Sequence, residues 1–162
     1  MHDSSFDTMS RLLNQFVAQE TSILDVGATH GIPNYSVAVK NNGCKYHCLD
    51  MQSGADYVPS DTYNWGDEVP KEWYCIISGQ TLEHDKFFWL TLKQISDRLA
   101  SNGIFILILP SKGEEHRFPI DCYRFYQDCA EVFAEIMDCE MLHKEWNLDT
   151  HWGDLAMVFR KR

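Results

Sequence analysis

The stretch Asp25 to Gly31 (DVGATHG) decides the fold, because it follows a short apolar run and precedes a segment with helical character. The apolar run, Ser22 to Gly27 (SILDVG), predicts a buried strand that ends at a glycine. Residues 31–42 predict a helix that stops at Asn42 and Gly43. Strand, glycine turn and helix in this order indicate the first unit of a doubly wound sheet, where ligands bind at the carboxyl ends of parallel strands.

Strands and helices alternate outward from this turn. Helical spacing of apolar residues predicts an N-terminal helix at about 6–19, a helix at 88–99 and another around 129–136. Further strands are predicted at 45–50, 55–58, 73–78, 104–109, 140–146 and 155–160, the last two as an antiparallel pair. Together these elements predict a three-layer α/β/α sandwich with a mostly parallel, doubly wound sheet of about seven strands and an antiparallel C-terminal hairpin.

Length, charge and cysteine content narrow the class of protein. At 162 residues the chain fits one domain, residues 1–162, built around a single core. The net charge of −10 argues against nucleic acid as a partner, because a polyanion would be repelled. Six cysteines without a CxxC pair indicate reduced thiols. With no signal peptide and no apolar run of about 20 residues, the sequence predicts a cytoplasmic protein that does not enter the membrane.

The glycine turn lacks the signatures of two common nucleotide sites, yet an acidic residue stands in the right place for a nucleoside. The dinucleotide fingerprint GxGxxG would need glycine where the chain has Thr29 and Ile32, so NAD is disfavoured. A phosphate-binding loop is excluded because no Gly-Lys-Ser/Thr follows. Asp50 ends the second strand, 23 residues after Gly27, where an acid accepts hydrogen bonds from both ribose hydroxyls. Turn and acid together predict an adenosine-containing ligand.

Several segments resemble the class I S-adenosylmethionine-dependent methyltransferases. The stretch at 25–31 resembles their Asp/Glu-x-Gly-x-Gly-x-Gly loop, Asp50 their ribose-binding acid, and CIISGQTLEH (75–84) the fourth-strand motif that ends near the methyl donor. LASNGIFILILPS (99–111) resembles the segment that follows, and EHRFPIDCYRFY (115–126) a stretch of small methyltransferase-domain proteins of unassigned substrate. The resemblance covers about residues 20–160. It implies S-adenosylmethionine as cofactor, S-adenosylhomocysteine as product, a cofactor-binding half at about 20–100 and an acceptor-side loop at about 111–126.

The resemblance also implies which residues bind the cofactor. The loop around the methionine and ribose portions would be formed by Asp25, Gly27, Ala28, Thr29 and Gly31. Asp50 would hold the ribose diol, and Met51 would lie against the adenine. The adenine edge would meet Asn64 and Trp65, while the strand end beside the methionine moiety would be Ser78, Gly79 and Gln80.

The sequence departs from the family pattern at one position, which keeps a second function open. Thr29 replaces the middle glycine of the loop, so a β-carbon stands where the backbone often approaches the cofactor. The alternative to an active methyltransferase is therefore a non-catalytic S-adenosylmethionine-binding or partner domain. A third interpretation, a nicotinamide-dependent oxidoreductase, is opposed by the missing fingerprint.

Methyl transfer requires few catalytic side chains, because the sulfonium is already a strong electrophile. The rate depends mainly on how the cofactor and the acceptor are positioned. If the acceptor is a hydroxyl, the candidate bases are His84, His116 and Asp121, each with a structural role as its alternative. An acceptor wall is expected from Arg117, Tyr123 and Arg124, which hold an anionic or sugar-like group by charge and stacking. The alternative is that the aromatic residues there are core and the arginines form ion pairs.

Two further expectations concern metals and the acceptor. Cys44, His47 and Cys48 lie close in sequence, but strand alternation turns His47 away from Cys48, so no metal site is expected. The chain has little room for a lid, which predicts an open acceptor site suited to a glycan, a small molecule or a protein, or one covered by a second copy in a homodimer.

Overall fold

A computed structural model describes residues 2–162 of the chain, and these residues form one six-stranded sheet with helices on both faces. The helices are α1 (Asp3–Phe16), α2 (Ser36–Asn41), α3 (Phe88–Arg98) and α4 (Cys129–Met137), with a short 3₁₀ turn at Leu82–His84. The strands are β1 (Ser22–Val26), β2 (Lys45–Leu49), β3 (Trp73–Gly79), β4 (Leu99–Pro110), β5 (Cys139–Asn147) and β6 (Asp154–Lys161).

The sheet has the strand order β2-β1-β3-β4-β6-β5. The first four strands in this order are parallel, while β6 runs antiparallel to both of its neighbours. The predicted mostly parallel sheet with an antiparallel C-terminal hairpin is confirmed. In this arrangement the carboxyl ends of β1, β2 and β3 lie side by side at one edge of the sheet.

The prediction of about seven strands is wrong, because residues 55–58 do not form a strand. Tyr57 bridges only to Leu49, and Ala55 only to Ser53. The carboxylate of Asp56 instead accepts a hydrogen bond from the backbone N–H of Cys48 at 3.0 Å, which folds the segment into a turn against the end of β2. Pro59 then follows without an N–H group, so a pairing ladder cannot continue.

Two helices differ in position or in length from the sequence prediction. The N-terminal helix, expected at about 6–19, begins at Asp3 and ends at Phe16, after which Val17 is extended. The helix expected from residue 31 begins only at Ser36, because proline at position 33 disfavours helical geometry in the residue before it and Asn34 caps the backbone N–H of Ser36 at 3.0 Å. Among residues 2–162 no helix combines the length and the apolar character needed to cross a bilayer.

The core consists of two apolar layers, one on each face of the sheet. Alternation along β4 shows why, since Phe105 and Leu107 belong to the layer under α3 and α4, whereas Ile106 and Ile108 belong to the layer under α1 and α2. All four side chains are fully buried. Burial of such a side chain stabilises the fold by about 1.5–3 kcal/mol, so the sheet is held from both sides.

Candidate active site

A cleft of about 760 Å³ opens at the carboxyl edge of the sheet. The register explains its position: Val26 of β1 pairs with Leu49 of β2, so the residues that follow, Gly27 and Asp50, emerge side by side. Both line this large cleft, together with Met51, which follows β2, and Gln80, which follows β3. The large cleft is therefore built from the ends of three neighbouring strands.

A smaller pocket of about 480 Å³ adjoins the large cleft. Gly27, Gln80 and His84 line both spaces, so the two meet there. Other walls of the small pocket are Asp25, Ala28, Tyr35, Gly79, His116 and Trp152. The arrangement offers two compartments with one junction, as a reaction between two bound molecules requires.

The glycine turn after β1 is shaped by a close contact at Gly27. Its φ is +86°, and an added β-carbon would lie 2.2 Å from Cγ2 of Thr81. The N–H groups of Gly27 and Ala28 both donate to the carbonyl of Leu49, at 2.8 and 3.1 Å, which fixes the turn to β2. Only glycine fits this position without displacing Thr81.

The later residues of the turn point away from both spaces. Gly31 also has a positive φ, +88°, but an added β-carbon would meet open space. Thr29, the departure from the family pattern, is buried, and its carbonyl accepts a hydrogen bond from the Asn34 side chain at 2.7 Å. Neither residue lines the cleft or the pocket, so the β-carbon of Thr29 does not intrude on them.

Asp50 presents its carboxylate to the large cleft. Oδ1 accepts a hydrogen bond from the backbone N–H of Gln52 at 2.8 Å, which orients the side chain. Oδ2 has no hydrogen-bond partner among the residues that the structure describes, so it is available to a ligand. Met51, 40% exposed, lines the same cleft.

Asp25 is a buried acid on the wall of the small pocket. Its Oδ2 accepts a hydrogen bond from the Tyr46 hydroxyl at 2.9 Å, and its side chain is almost fully inaccessible. Burial raises the pKa of Asp25 to about 7 despite this hydrogen bond. The side chain therefore changes charge near neutral pH.

The residues predicted for the adenine edge and the β3 end have different surroundings. Asn64 is exposed and lines neither space, whereas Trp65 is a buried wall of the large cleft. Ser78 is fully buried and donates to the carbonyl of Val26 at 2.8 Å, so it ties β3 to β1. Gly79 and Gln80 do line the small pocket, and Gln80 donates to Asp154 at 3.0 Å.

His84 and His116 meet at the junction of the two spaces, with ring centroids 4.8 Å apart. Nδ1 of His84 donates to the carbonyl of Ile120 at 2.6 Å, and Nε2 lies 3.6 Å from Oε1 of Glu83. Burial lowers the pKa of His84, which favours the neutral ring. Neither nitrogen of His84 points freely toward an acceptor.

Asp121 and Arg124 form a partly buried ion pair that lies outside both spaces. The guanidinium donates to both carboxylate oxygens, at 2.7 and 2.8 Å, and holds the pKa of Asp121 well below its usual range. Arg124 also donates to the carbonyls of Lys112 and Glu114. These contacts indicate that the pair holds the segment 111–126 in place.

The other two predicted acceptor residues are separated from each other. Arg117 lines the large cleft, is largely exposed and pairs with Glu115 at 2.6 Å. Tyr123 lines neither space, because its hydroxyl donates to the carbonyl of Lys86 at 2.7 Å and its ring packs on Phe88. The structure therefore brings only Arg117 of the predicted acceptor wall to a cleft, and the roles of all three stay predictions.

Sequence reasoning missed several residues of these walls. Tyr63 lines the large cleft and donates to Asp85 at 2.8 Å, while Trp152 closes the small pocket against His116, with ring centroids 4.4 Å apart. Glu83 is fully buried beside His84, and burial raises the pKa of Glu83 to about 8. No sequence pattern marks Glu83, because the residues before it, Gln80 and Thr81, are themselves polar.

Among residues 2–162, two groups of potential metal ligands converge. One is His30, Cys48 and Asp56, and the other is Glu83, His84 and His116. Cys44 and His47, considered in the sequence, belong to neither group: the thiol of Cys44 lies 3.4 Å from the carbonyl of Ala18, and the ring of His47 packs edge-on against Trp73.

The strand order, the glycine turn after β1 and the cleft at the carboxyl edge define the class I methyltransferase fold. Solved structures share it. The 1,6-didemethyltoxoflavin-N1-methyltransferase of Burkholderia thailandensis, solved with S-adenosylhomocysteine, has a TM-score of 0.72 at 16% identity, over 98% of this chain and 78% of that one. A SAM-dependent methyltransferase from Archaeoglobus fulgidus has a TM-score of 0.69 at 12% identity, over 97% and 95%.

The fold is not restricted to methyltransferases. The [4+2]-cyclase SpnF has a TM-score of 0.72 at 13% identity, over 96% of this chain and 80% of that one. No protein-family model matches the sequence. No curated protein matches it either. The likeness to known proteins therefore lies in the fold.

Proposed function

We propose that the chain is a methyltransferase that binds S-adenosylmethionine in the large cleft and transfers its methyl group to an acceptor in the small pocket. The observation that carries the proposal is that Gly27 and Asp50 follow the paired residues Val26 and Leu49 and line the same cleft of about 760 Å³. That volume suits a cofactor-sized ligand.

The cofactor-binding roles follow from the walls of the two spaces. Asp50 accepts hydrogen bonds from the ribose hydroxyls, and Met51 and Trp65 contact the adenine. Near the junction, Gly27 and Gln80 hold the methionine portion, with Ala28 and Gly79 beyond them in the small pocket. Bound there, the cofactor supplies an electrophilic methyl group, and the protein contributes its orientation relative to the acceptor.

The acceptor is a small molecule or the end group of a larger one, because the small pocket has a volume of about 480 Å³. Trp152, Tyr35 and His116 give this pocket an aromatic wall, and Asp25 gives it an acid. His84 is placed at the junction but has both ring nitrogens directed at protein groups. We therefore expect the protein to act by orienting the cofactor and the acceptor, without proton transfer to His84.

Calorimetric titration with S-adenosylhomocysteine tests the cofactor site. Asp50→Ala is expected to lose more than tenfold in affinity, because charge-assisted hydrogen bonds contribute about 1.5–3 kcal/mol. Asp97→Ala is the matched control: this acid is exposed near the C-terminal end of α3 and lines neither space. No binding by the folded wild-type protein, or equal losses in both variants, would refute the proposed cofactor site.

The second candidate function is non-catalytic or non-methylating use of the same site. The observation that favours it is the hydrogen bond that Nδ1 of His84 donates to the protein, together with the cyclase that shares the fold. Release of S-adenosylhomocysteine from S-adenosylmethionine, measured over a panel of small acceptors, separates the two. Binding without release for any acceptor would favour the second candidate.

Cytoplasmic location, a homodimer that covers the acceptor side and the absence of a nucleic-acid partner stay predictions from the sequence. Light scattering on the purified protein tests the homodimer.

A further inference from the structure

Three side chains with metal-binding atoms converge where the large cleft joins the small pocket. One ligand atom each from Glu83, His84 and His116 lies within 4.8 Å of the others. Oε1 of Glu83 is 3.6 Å from Nε2 of His84, and the two histidine rings are nearly perpendicular, with an angle of 86° between their planes.

The carboxyl group of Glu83 has an unusual environment. Its side chain is fully buried, and neither carboxylate oxygen has a hydrogen-bond partner among the residues that the structure describes. The backbone carbonyl of Glu83 accepts hydrogen bonds from Cys122 at 2.7 Å and Tyr123 at 3.3 Å, which fixes the turn rigidly to the segment 111–126. Because buried carboxyl groups are almost always paired, this one indicates a ligand that satisfies it.

The hydrogen bonding of His84 directs a lone pair toward the same point. Its Nδ1 must donate to the carbonyl of Ile120, since that oxygen can only accept, so the neutral ring carries its lone pair on Nε2. Nε2 and Oε1 of Glu83 then face each other across 3.6 Å, beyond hydrogen-bond distance. A carbonyl that fixes the orientation of a histidine in this way is a common support for a metal ligand.

We propose that Glu83, His84 and His116 bind a divalent transition-metal ion of the zinc type at this junction. Two imidazoles and one carboxylate are a ligand set for zinc with an open fourth position, whereas magnesium and calcium prefer oxygen ligands. Bonds of about 2.0–2.1 Å in a tetrahedral site separate ligand atoms by roughly 3.4 Å, close to the distance between Glu83 and His84. His116, the most exposed of the three, closes the site from the segment 111–126.

The charges around the site permit a cation. Arg124 approaches Nδ1 of His116 to 3.4 Å, but Asp121 neutralises it through two hydrogen bonds and also lies 3.5 Å from that nitrogen. Metal ligands bind in their deprotonated form, so the ion would displace the proton of Glu83, and the resulting carboxylate would offset part of its charge.

The site suggests how an acceptor oxygen is activated, and this role, unlike metal binding itself, rests on the proposed methyl transfer. His84 and His116 both line the small pocket, so the open position faces the acceptor. An acceptor hydroxyl held there loses its proton to water more readily. Its oxygen then forms the bond to the methyl carbon while the carbon–sulfur bond of the cofactor breaks.

Cobalt(II) titration of chelator-treated protein, followed by visible absorption and by metal content, tests the site without any cofactor. We expect one equivalent per chain and at least a tenfold weaker affinity in both Glu83→Gln and His116→Ala. His116 is partly exposed, so its variant remains informative if Glu83→Gln fails to fold. Excess magnesium is expected not to displace the cobalt.

His30→Ala is the matched control, because it removes a ligand from the other convergent group, which contains Cys48. The proposal predicts that this variant binds cobalt as tightly as the wild type does. It also predicts that cobalt bound to the wild type shows no thiolate-to-cobalt absorption band. It would be overturned if the folded wild-type protein bound no cobalt, or if binding were lost in His30→Ala and kept in Glu83→Gln. Failure of the proposed methyltransferase function would appear separately, in the titration with S-adenosylhomocysteine.

Discussion

Gly27 combines a backbone conformation with a contact that a larger residue cannot share. Its φ of +86° is in the region that side chains disfavour, and Thr81 occupies the space of the missing β-carbon. The residue therefore sets how closely the end of β1 approaches the end of β3. Both ends contribute walls to the junction of the two spaces.

Gly27→Ala is expected to weaken S-adenosylhomocysteine binding by more than tenfold and to destabilise the fold by about 1–3 kcal/mol, because the turn must move away from Thr81. Gly31→Ala is a matched control with the same backbone strain, φ +88°, and open space around its β-carbon. Calorimetry and urea unfolding measure the two effects. Equal loss of affinity in both variants would mean that the contact with Thr81 has no part in shaping the site.

Asp25 predicts a pH dependence of stability near neutrality. The unfolded pKa of an aspartate is about 3.9, and burial raises the folded pKa of Asp25 to about 7. Between these values the folded state holds a proton that the unfolded state has released, so this contribution is present below pH 4 and is lost as the pH rises through 7. Its size is up to about 4 kcal/mol at 1.36 kcal/mol per pKa unit.

Urea unfolding of the wild type and of Asp25→Asn between pH 4.5 and 8 measures the contribution of Asp25 to the free energy of unfolding. The variant is expected to lose less stability with rising pH than the wild type, because asparagine keeps the shape without the charge. Parallel profiles for the two proteins would show that Asp25 does not titrate in this range.

At the scale of elements, the segment 111–126 is held by an ion pair of its own in addition to its hydrogen bonds to Glu83. Arg124 joins Asp121 to the carbonyls of Lys112 and Glu114, so one side chain connects both ends of the segment. Its side chain is only 19% exposed, and that of Asp121 only 3%. The segment carries His116 and Arg117, so its order matters for both spaces.

Arg124→Ala is expected to destabilise the fold by about 3 kcal/mol, because it removes the ion-pair partner of the buried Asp121 carboxylate and leaves it the backbone N–H of His116 at 2.8 Å. Hydrogen exchange should become faster for the amides of 111–126 than for those of β4. The double variant Arg124→Ala/Asp121→Ala is expected to recover part of the loss. A double variant as unstable as the sum of the single ones would contradict a coupled pair.

Elements whose periodicity is strong were predictable, while local turns were not. The continuous apolar run of β4 and the helical spacing of α3 depend only on burial of apolar side chains, so both can be recognised in the sequence. Residues 55–58 have a similar composition to a strand, but the Asp56 side chain bonds the backbone of Cys48 and makes a turn. Such a contact competes with strand pairing and leaves no periodic signal.

The candidate site also contains some residues that could be predicted from the sequence and others that could not. Gly27 and Asp50 were predictable as neighbours, because parallel strands place their carboxyl ends at one edge. The surroundings of Ser78 could not be predicted, because its hydrogen-bond partner Val26 is 52 residues away in the sequence. The carboxyl group of Glu83 was missed because its isolation becomes visible only after residues 111–126 pack over it.

On the scale of the whole molecule, ligand binding should be visible as stabilisation. S-adenosylhomocysteine at 100 times its dissociation constant is expected to add about 2.7 kcal/mol. For a chain of this size the melting temperature would rise by roughly 5–10 °C. Asp50→Ala at the same concentration is expected to show a much smaller rise, measured by thermal unfolding. Equal rises in both proteins would place the ligand away from Asp50.

The position of β6 within the sheet has a consequence for synthesis in the cell. Asp154–Lys161 lies between β4 and β5 and pairs with both, and most of its residues are buried. Until residue 161 has left the ribosome, a nascent chain keeps one edge of β4 unpaired and lacks part of both core layers. An unpaired, apolar strand edge is a template for pairing with other chains. A chain in which β6 has not yet docked therefore exposes an edge at which pairing with another chain competes with folding.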